Sequence, residues 1–149
     1  MAADFGLDEF GDAAARKDRF VELQLLWRNR EVAYNTWMFD EFKNCPLEKA
    51  DVRWSAAREN VGRSVSGADS RGTASGEDTR WTVTLTTDKP AFFVWLSAGD
   101  IPGEFSDNSF TLYPGRPVEL VFTPKNGFDD FEKFVSSLSV THLSATYLQ

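Results

Sequence analysis

Residues 81–87, Trp-Thr-Val-Thr-Leu-Thr-Thr, alternate apolar and hydroxyl-bearing side chains. A period of two puts Trp81, Val83 and Leu85 on one side of an extended chain and Thr82, Thr84 and Thr86 on the other, the pattern of a β-strand with one dry and one wet face. A helix would scatter the same residues around its circumference. The dry face needs a second layer to cover it.

The remaining patterns supply that layer as further strands. From Phe20, the residues Val21, Leu23, Leu25 and Trp27 alternate with Glu22, Gln24 and Arg28, and Val32 and Tyr34 resume the alternation after Arg-Asn-Arg-Glu. This predicts a hairpin. A further strand is expected over 51–58, with Val52 and Trp54 on one face. After Pro90 the run Ala-Phe-Phe-Val-Trp-Leu-Ser-Ala is apolar on both faces, as expected of an inner strand covered on both sides or one that opposes another domain. Ser-Phe-Thr-Leu-Tyr and Pro-Val-Glu-Leu-Val-Phe-Thr predict two more strands. Pro114-Gly115 between them presets one backbone angle and permits a positive one beside it, a hairpin signal.

One helix is expected. Asp129 and Glu132 have capping-box spacing, and Phe131, Phe134, Val135 and Leu138 form its apolar stripe for about two turns. The closing Ser-Val-Thr-His-Leu-Ser-Ala-Thr-Tyr predicts a last strand, with Val140 and His142 facing one way and Thr141, Leu143 and Ala145 the other. Residues 1–19 lack apolar periodicity and are expected to be a flexible tail or linker. Residues 61–79 are so rich in Ser, Gly and small polar residues that a mobile loop is expected. Setting both aside leaves about 110 residues, close to the ~100 of an immunoglobulin-like sandwich. The fold class expected is all-β: an immunoglobulin-like β-sandwich over 20–149, of about seven or eight antiparallel strands with one short helix near the C-terminus.

Composition excludes several functions. A chain of 149 residues that is 42% hydrophobic and 14% aromatic suits one compact domain. A net charge of -7, with Lys and Arg scattered among carboxylates, argues against a nucleic-acid partner. No apolar run is long enough to span a bilayer and the N-terminus does not read as a signal peptide, so no membrane partner is expected. The single Cys45 cannot form an internal disulfide and reads as a small core residue. With no glycosylation acceptor present, these features point to the cytosol.

Catalytic chemistry finds little to work with. There is one His and one Cys, and neither a nucleophile elbow nor a phosphate-cradling glycine loop is present. His142 reads as a strand residue, and neither cofactor nor metal is expected. Paired carboxylates could hydrolyse a glycoside. However, Asp129 and Asp130 sit at a helix start, where negative charge favours the exposed amides. Asp100, Glu104 and Asp107 lie among Gly99, Pro102 and Gly103, where Asp is a turn former. Asn108 tolerates a left-handed conformation and Asp107 can accept amide hydrogens, together holding a tight approach to the strand at Phe110.

The stretch 93–122, Phe-Val-Trp-Leu-Ser-Ala-Gly-Asp-Ile-Pro-Gly-Glu-Phe-Ser-Asp-Asn-Ser-Phe-Thr-Leu-Tyr-Pro-Gly-Arg-Pro-Val-Glu-Leu-Val-Phe, resembles the C-terminal β-sandwich domain of glycoside hydrolase family 2, most closely that of the β-mannosidases. In that family an apolar strand leads to a Phe-Ser-Asp-Asn turn, an aromatic strand and Pro-Gly. Here Trp95, Phe105, Ser106, Asp107, Asn108, Phe110, Pro114 and Gly115 match, as structural residues of a turn motif. The resemblance extends over 80–148, with 20–58 similar to the preceding strand and crossover.

The resemblance implies that catalytic glutamates sit in a TIM barrel elsewhere, which this chain does not contain, and that the parent reaction removes terminal β-mannose. It therefore implies a non-catalytic domain, a separate fragment or one whose partner was lost. Its partner would be a catalytic TIM barrel in cis or in trans, against which it buries an apolar face. Two alternatives stay open: a carbohydrate-binding module stacking manno-oligosaccharide on Trp37, Trp54 or Trp81, and a protein-interaction domain.

Overall fold

The computed structural model describes residues 11–12, 16, 19–58 and 79–147. The loop expected over 61–79 and the tail expected over 1–19 fall almost wholly outside the described residues. The chain divides into two compact units, Met1–Leu47 and Glu48–Gln149.

In the first unit, β1 (Phe20–Trp27) and β2 (Arg30–Met38) form the expected hairpin as a two-stranded antiparallel sheet. Arg28 and Asn29 both adopt positive φ, 51° and 60°. Such a turn carries the twist of the flanking strands through two residues. A 3-10 turn follows at Phe42–Asn44. There Asp40 Oδ1 accepts the Glu41 N–H at 2.8 Å and the Asn44 amide at 2.9 Å. Cys45, expected in a core, is only half-buried after this turn, with its thiol donating to the Glu41 carbonyl at 3.4 Å.

The second unit is the sandwich. Its strands are β3 (Val52–Arg58), β4 (Trp81–Thr87), β5 (Ala91–Ser97), β6 (Gly103–Phe105), β7 (Phe110–Leu112), β8 (Val118–Pro124) and β9 (Ser139–Thr141). One sheet has the order β3-β4-β8-β6 and the other β7-β5-β9, and every pairing is antiparallel. The alternation at 81–87 plays out as expected: Trp81, Val83 and Leu85 are completely buried. They meet Leu120 and Phe122 from β8, and Ala91, Val94, Leu96, Phe110 and Leu112 from the other sheet, in one core. Val52, Trp54 and Ala56 of β3 pack against it as a half-buried edge.

From β5 onward the strands belong to the two sheets by turns, which corrects the expected hairpin at Pro114-Gly115. The turn forms locally: the Arg116 N–H donates to the Tyr113 carbonyl at 3.2 Å, with Gly115 at φ 74°. Yet β7 pairs with β5, while β8 pairs with β4 and β6. A turn reverses the chain without choosing its partners. Those are set by which inner face each strand's apolar residues fill.

Two C-terminal details also differ from expectation. Helix α1 (Phe131–Ser137) is capped by Asp130, not Asp129, whose carboxylate accepts the Lys133 N–H at 3.0 Å. Phe134 of the expected stripe is fully buried. The closing strand ends at Thr141, and Leu143–Tyr147 forms a short helix, α2. Ala145 N–H bonds back to the His142 carbonyl, and Thr146 Oγ1 bonds to that of Leu143, so local bonds displace the ladder.

The far end of the core is aromatic. The Trp81 ring lies 4.7 Å from Phe134, 5.6 Å from Phe131, 5.8 Å from Phe122 and 6.0 Å from Phe128, centroid to centroid. Phe105 adds a tilted contact with Phe122 at 4.8 Å. Gly103 of β6 exists to let this cluster close. A Cβ there would lie 2.7 Å from Phe122 Cε1 and 2.8 Å from the Thr123 carbonyl. Phe122 is buried and has nowhere to retreat. Gly103→Ala is expected to lower stability by about 1–3 kcal/mol in urea unfolding, the usual cost of overpacking.

Candidate functional site

The family-like turn residues form a brace between the sheets. The Ser106 N–H donates to the Val121 carbonyl at 2.8 Å, and the Val121 N–H returns a bond to Ser106 Oγ at 3.0 Å. Two residues on, the loop engages the other sheet. The Leu96 N–H donates to Asn108 Oδ1 at 2.7 Å, and Asn108 Nδ2 donates to the Leu96 carbonyl at 3.0 Å. One side-chain amide thus stands in for a strand partner. Asp107 Oδ1 accepts the Asn108 N–H at 2.7 Å.

The left-handed residue is Ser109, at φ 65°, rather than Asn108. Its N–H reaches the Val94 carbonyl at 2.8 Å. Asn108 itself has no positive φ, and its side chain is bonded to Leu96. Phe105 and Phe110 turn inward on either side of this brace. Pro114 and Gly115 are exposed in the turn beyond β7. Trp95 points away from all of them.

The acids of this region are used locally. Glu104 forms an ion pair with Lys125, Asp107 holds the loop and Asp130 caps α1. Asp100 and Asp129 are exposed. Among the described residues, no group of three His, Cys, Asp or Glu side chains is gathered as a metal ion would require. No helix among them is long and apolar enough to cross a membrane.

His142 lies just past β9 and is buried, with Nδ1 3.1 Å from the Ser144 hydroxyl. Burial, and secondarily the positive charge of Lys49, hold its pKa below the ordinary 6.5. The folded state therefore resists a proton that the unfolded chain accepts. His142 should cost no stability above about pH 6.5, with stability falling as the pH drops from there toward the lower folded pKa. Denaturant midpoints between pH 7.5 and 5.5 should show this slope, and His142→Gln should flatten it.

The three candidate sugar-stacking tryptophans separate by burial. Trp81 is sealed in the core, and Trp54 is half-buried against it on the edge strand β3. Trp37 is 61% exposed on β2. Trp27, on the neighbouring strand β1, is exposed as well.

The surface feature of the sandwich that stands out is on β5. Ala91 pairs with Leu112 and Val94 with Phe110, so β5 spends one residue more than β7 over the same interval. Phe93 absorbs it at φ 54°, a costly angle for a bulky side chain. The bulge lets Ala91, Phe92, Val94 and Leu96 all be buried while Phe93 and Trp95 face outward, 48% and 51% exposed. The expectation of a strand covered on both sides is met only on its inner face. Around Phe93 and Trp95 this sheet carries Thr111, Ser139 and Thr141, with no charged residue. The outer face of the other sheet instead carries Arg53, Glu104 and Glu119 between its hydroxyls.

Comparison with known proteins places this architecture. The Ig_mannosidase family, an Ig-fold domain, matches residues 68–146, just over half of the chain. The chain belongs to this family. It is thus an Ig-like domain of the glycoside hydrolase family 2 β-mannosidase type, as the turn motif implied. A β-mannosidase of Mus musculus is 40% identical over 63 residues, covering 42% of this chain and 7% of that protein. The crystal structure of β-D-mannosidase from Dictyoglomus thermophilum superposes with a TM-score of 0.67 at 19% identity, covering 93% of this chain and 14% of that one. The matched part of this chain therefore spans only 7% of the mouse protein and 14% of the Dictyoglomus thermophilum chain.

Proposed function

We propose that this Ig-fold domain is a non-catalytic structural module of a β-mannosidase-like glycosidase, docked through the Phe93–Trp95 face against a TIM-barrel domain that removes terminal β-mannose, in cis or in trans. The observation that carries this is the uncharged, aromatic outer face of β5, held out by a bulge with an unfavourable Phe93 angle. Backbone strain of that kind persists where a surface has work to do. A face free of charge can be buried in an interface without stranding an ion. The turn motif of Phe105, Ser106, Asp107, Asn108, Phe110, Pro114 and Gly115 supports the domain from behind. A cytosolic location fits the lone half-buried Cys45 thiol.

Calorimetric titration of the chain into a mouse β-mannosidase lacking the aligned segment tests the docking. Binding is expected, and the double substitution Phe93→Ser/Trp95→Ser should abolish it while leaving the isolated chain's melting temperature nearly unchanged. Equal binding by the double variant would overturn the docking face. The isolated chain should also turn over no aryl β-mannoside; turnover that vanished with substitutions at its own acids would refute the non-catalytic reading. The sugar-binding alternative retains Trp37, and heat on adding manno-oligosaccharide that disappears with Trp37→Ala would favour it.

A further inference from the structure

Between β8 and α1 the chain turns at Asn126-Gly127, the one Asn-Gly pair in the sequence. Both residues have positive φ, 58° and 69°, and both are exposed. A single backbone bond closes the turn, from the Phe128 N–H to the Lys125 carbonyl at 3.2 Å. Among the described residues, neither the Asn126 side-chain amide nor the Gly127 N–H has a hydrogen-bond partner. Gly127 has no Cβ to obstruct its nitrogen, and open space surrounds it.

We propose that Asn126-Gly127 is a modification site at which the folded chain deamidates itself, and that the product loosens the aromatic end of the core. The Gly127 backbone nitrogen attacks Asn126 Cγ. The new N–Cγ bond closes a succinimide ring, the Cγ–Nδ2 bond breaks, and the proton of the nitrogen leaves with the amide as ammonia. Water then opens the ring at either carbonyl, giving aspartate or, with the main chain rerouted through Cγ, isoaspartate. Ring closure requires the turn to open, and an exposed turn held by one long bond opens locally at little cost.

The other turn asparagine of the sandwich shows what protection looks like. Both side-chain polar atoms of Asn108 are bonded to Leu96, and the N–H of Ser109, the nitrogen that would attack, donates to the Val94 carbonyl at 2.8 Å. Electrophile and nucleophile are both held there, and neither is held at Asn126-Gly127. The consequence for the core follows from what flanks the site. Lys125 is pinned by its N–H to the Pro102 carbonyl at 2.8 Å and by its ion pair with Glu104, while the Phe128 ring lies 6.0 Å from that of Trp81. Isoaspartate inserts a methylene into the main chain between these fixed points, and Phe128 must give way.

Peptide mapping by mass spectrometry tests the site, after the 149-residue chain is incubated in mildly alkaline buffer, folded or in urea. In the folded chain the peptide carrying Asn126 should gain about 1 Da at least about tenfold faster than the peptide carrying Asn108, with urea accelerating Asn108 by the larger factor. Asn126→Gln should stop the gain at its peptide. Asn126 left intact in the folded chain over an interval in which the chain in urea converts it would overturn the proposal, as would equal rates at the two sites in the folded chain. The deamidated chain should also melt several degrees below the Asn126→Asp variant, which carries the same charge without the rerouted backbone. Equal melting would overturn the link to the core.

Discussion

Trp81→Ala should lower the stability of the sandwich by about 3–5 kcal/mol, the range for truncating a fully buried large aromatic. Trp81 has no exposed surface and contacts four phenylalanine rings drawn from β8, α1 and the turn between them. Removing it hollows the junction of both sheets with the helix, where neighbouring rings are too rigid to collapse inward. Domains of this size hold only about 5–15 kcal/mol in total, so the variant should be close to unfolding at 37 °C. Trp81→Phe should be far milder. The indole Nε1 is buried and finds no hydrogen-bond partner among the described residues, so losing it removes a desolvated donor along with some packing. Urea midpoints of the two variants provide the check; a Trp81→Ala loss below about 1 kcal/mol would mean that the cluster is not the core of the fold.

Asn108→Ala should cost about 2–4 kcal/mol, because it leaves both the N–H and the carbonyl of Leu96 without the partner that satisfies them. Leu96 is 1% exposed, so water cannot readily replace the lost amide. The informative control is Asn108→Asp. An aspartate retains an acceptor for the Leu96 N–H but sets a carboxylate oxygen against the Leu96 carbonyl, and it should rescue little. Asp107→Ala loses one exposed bond and should change stability by less than about 1 kcal/mol. Equal losses at positions 107 and 108 would mean that the loop acts as a generic turn rather than as a brace between sheets.

Much of the architecture was legible because it depends on period. The alternation at 81–87 fixed a strand and its dry face, and the pattern from Phe20 to Tyr34 fixed a hairpin; both depend on residues one and two positions apart. Pairing depends on distant residues, and there the local signals misled. Pro114-Gly115 made its turn, yet the strands on either side went to different sheets because Phe110 and Leu112 complete one inner face while Leu120 and Phe122 complete the other. The Asp129-x-x-Glu132 spacing marked the helix cap one residue early, because Asp130 rather than Asp129 accepts the Lys133 N–H, while the apolar stripe through Phe134 was right.

The candidate site was half visible. Run 91–98 was plainly too apolar for a strand with one wet face, but its division between inner and outer residues needed the bulge. The spacing held a clue: Ala91, Val94 and Leu96 cannot all face inward at a strict period of two, so an extra residue had to be absorbed at Phe92–Phe93. Left-handed tolerance at Asn108 goes unused, and its amide serves instead as a surrogate strand. That role requires knowing that Leu96 lies across the loop.

Oxidative footprinting of Trp95 tests the central claim most directly, by comparing the isolated chain with the same chain held in a barrel-bearing β-mannosidase. The account predicts that Trp95 is modified readily in isolation and becomes strongly protected in the larger protein, whereas the buried Trp81 is protected in both. Equal modification of Trp95 in the two settings would show that nothing docks on this face.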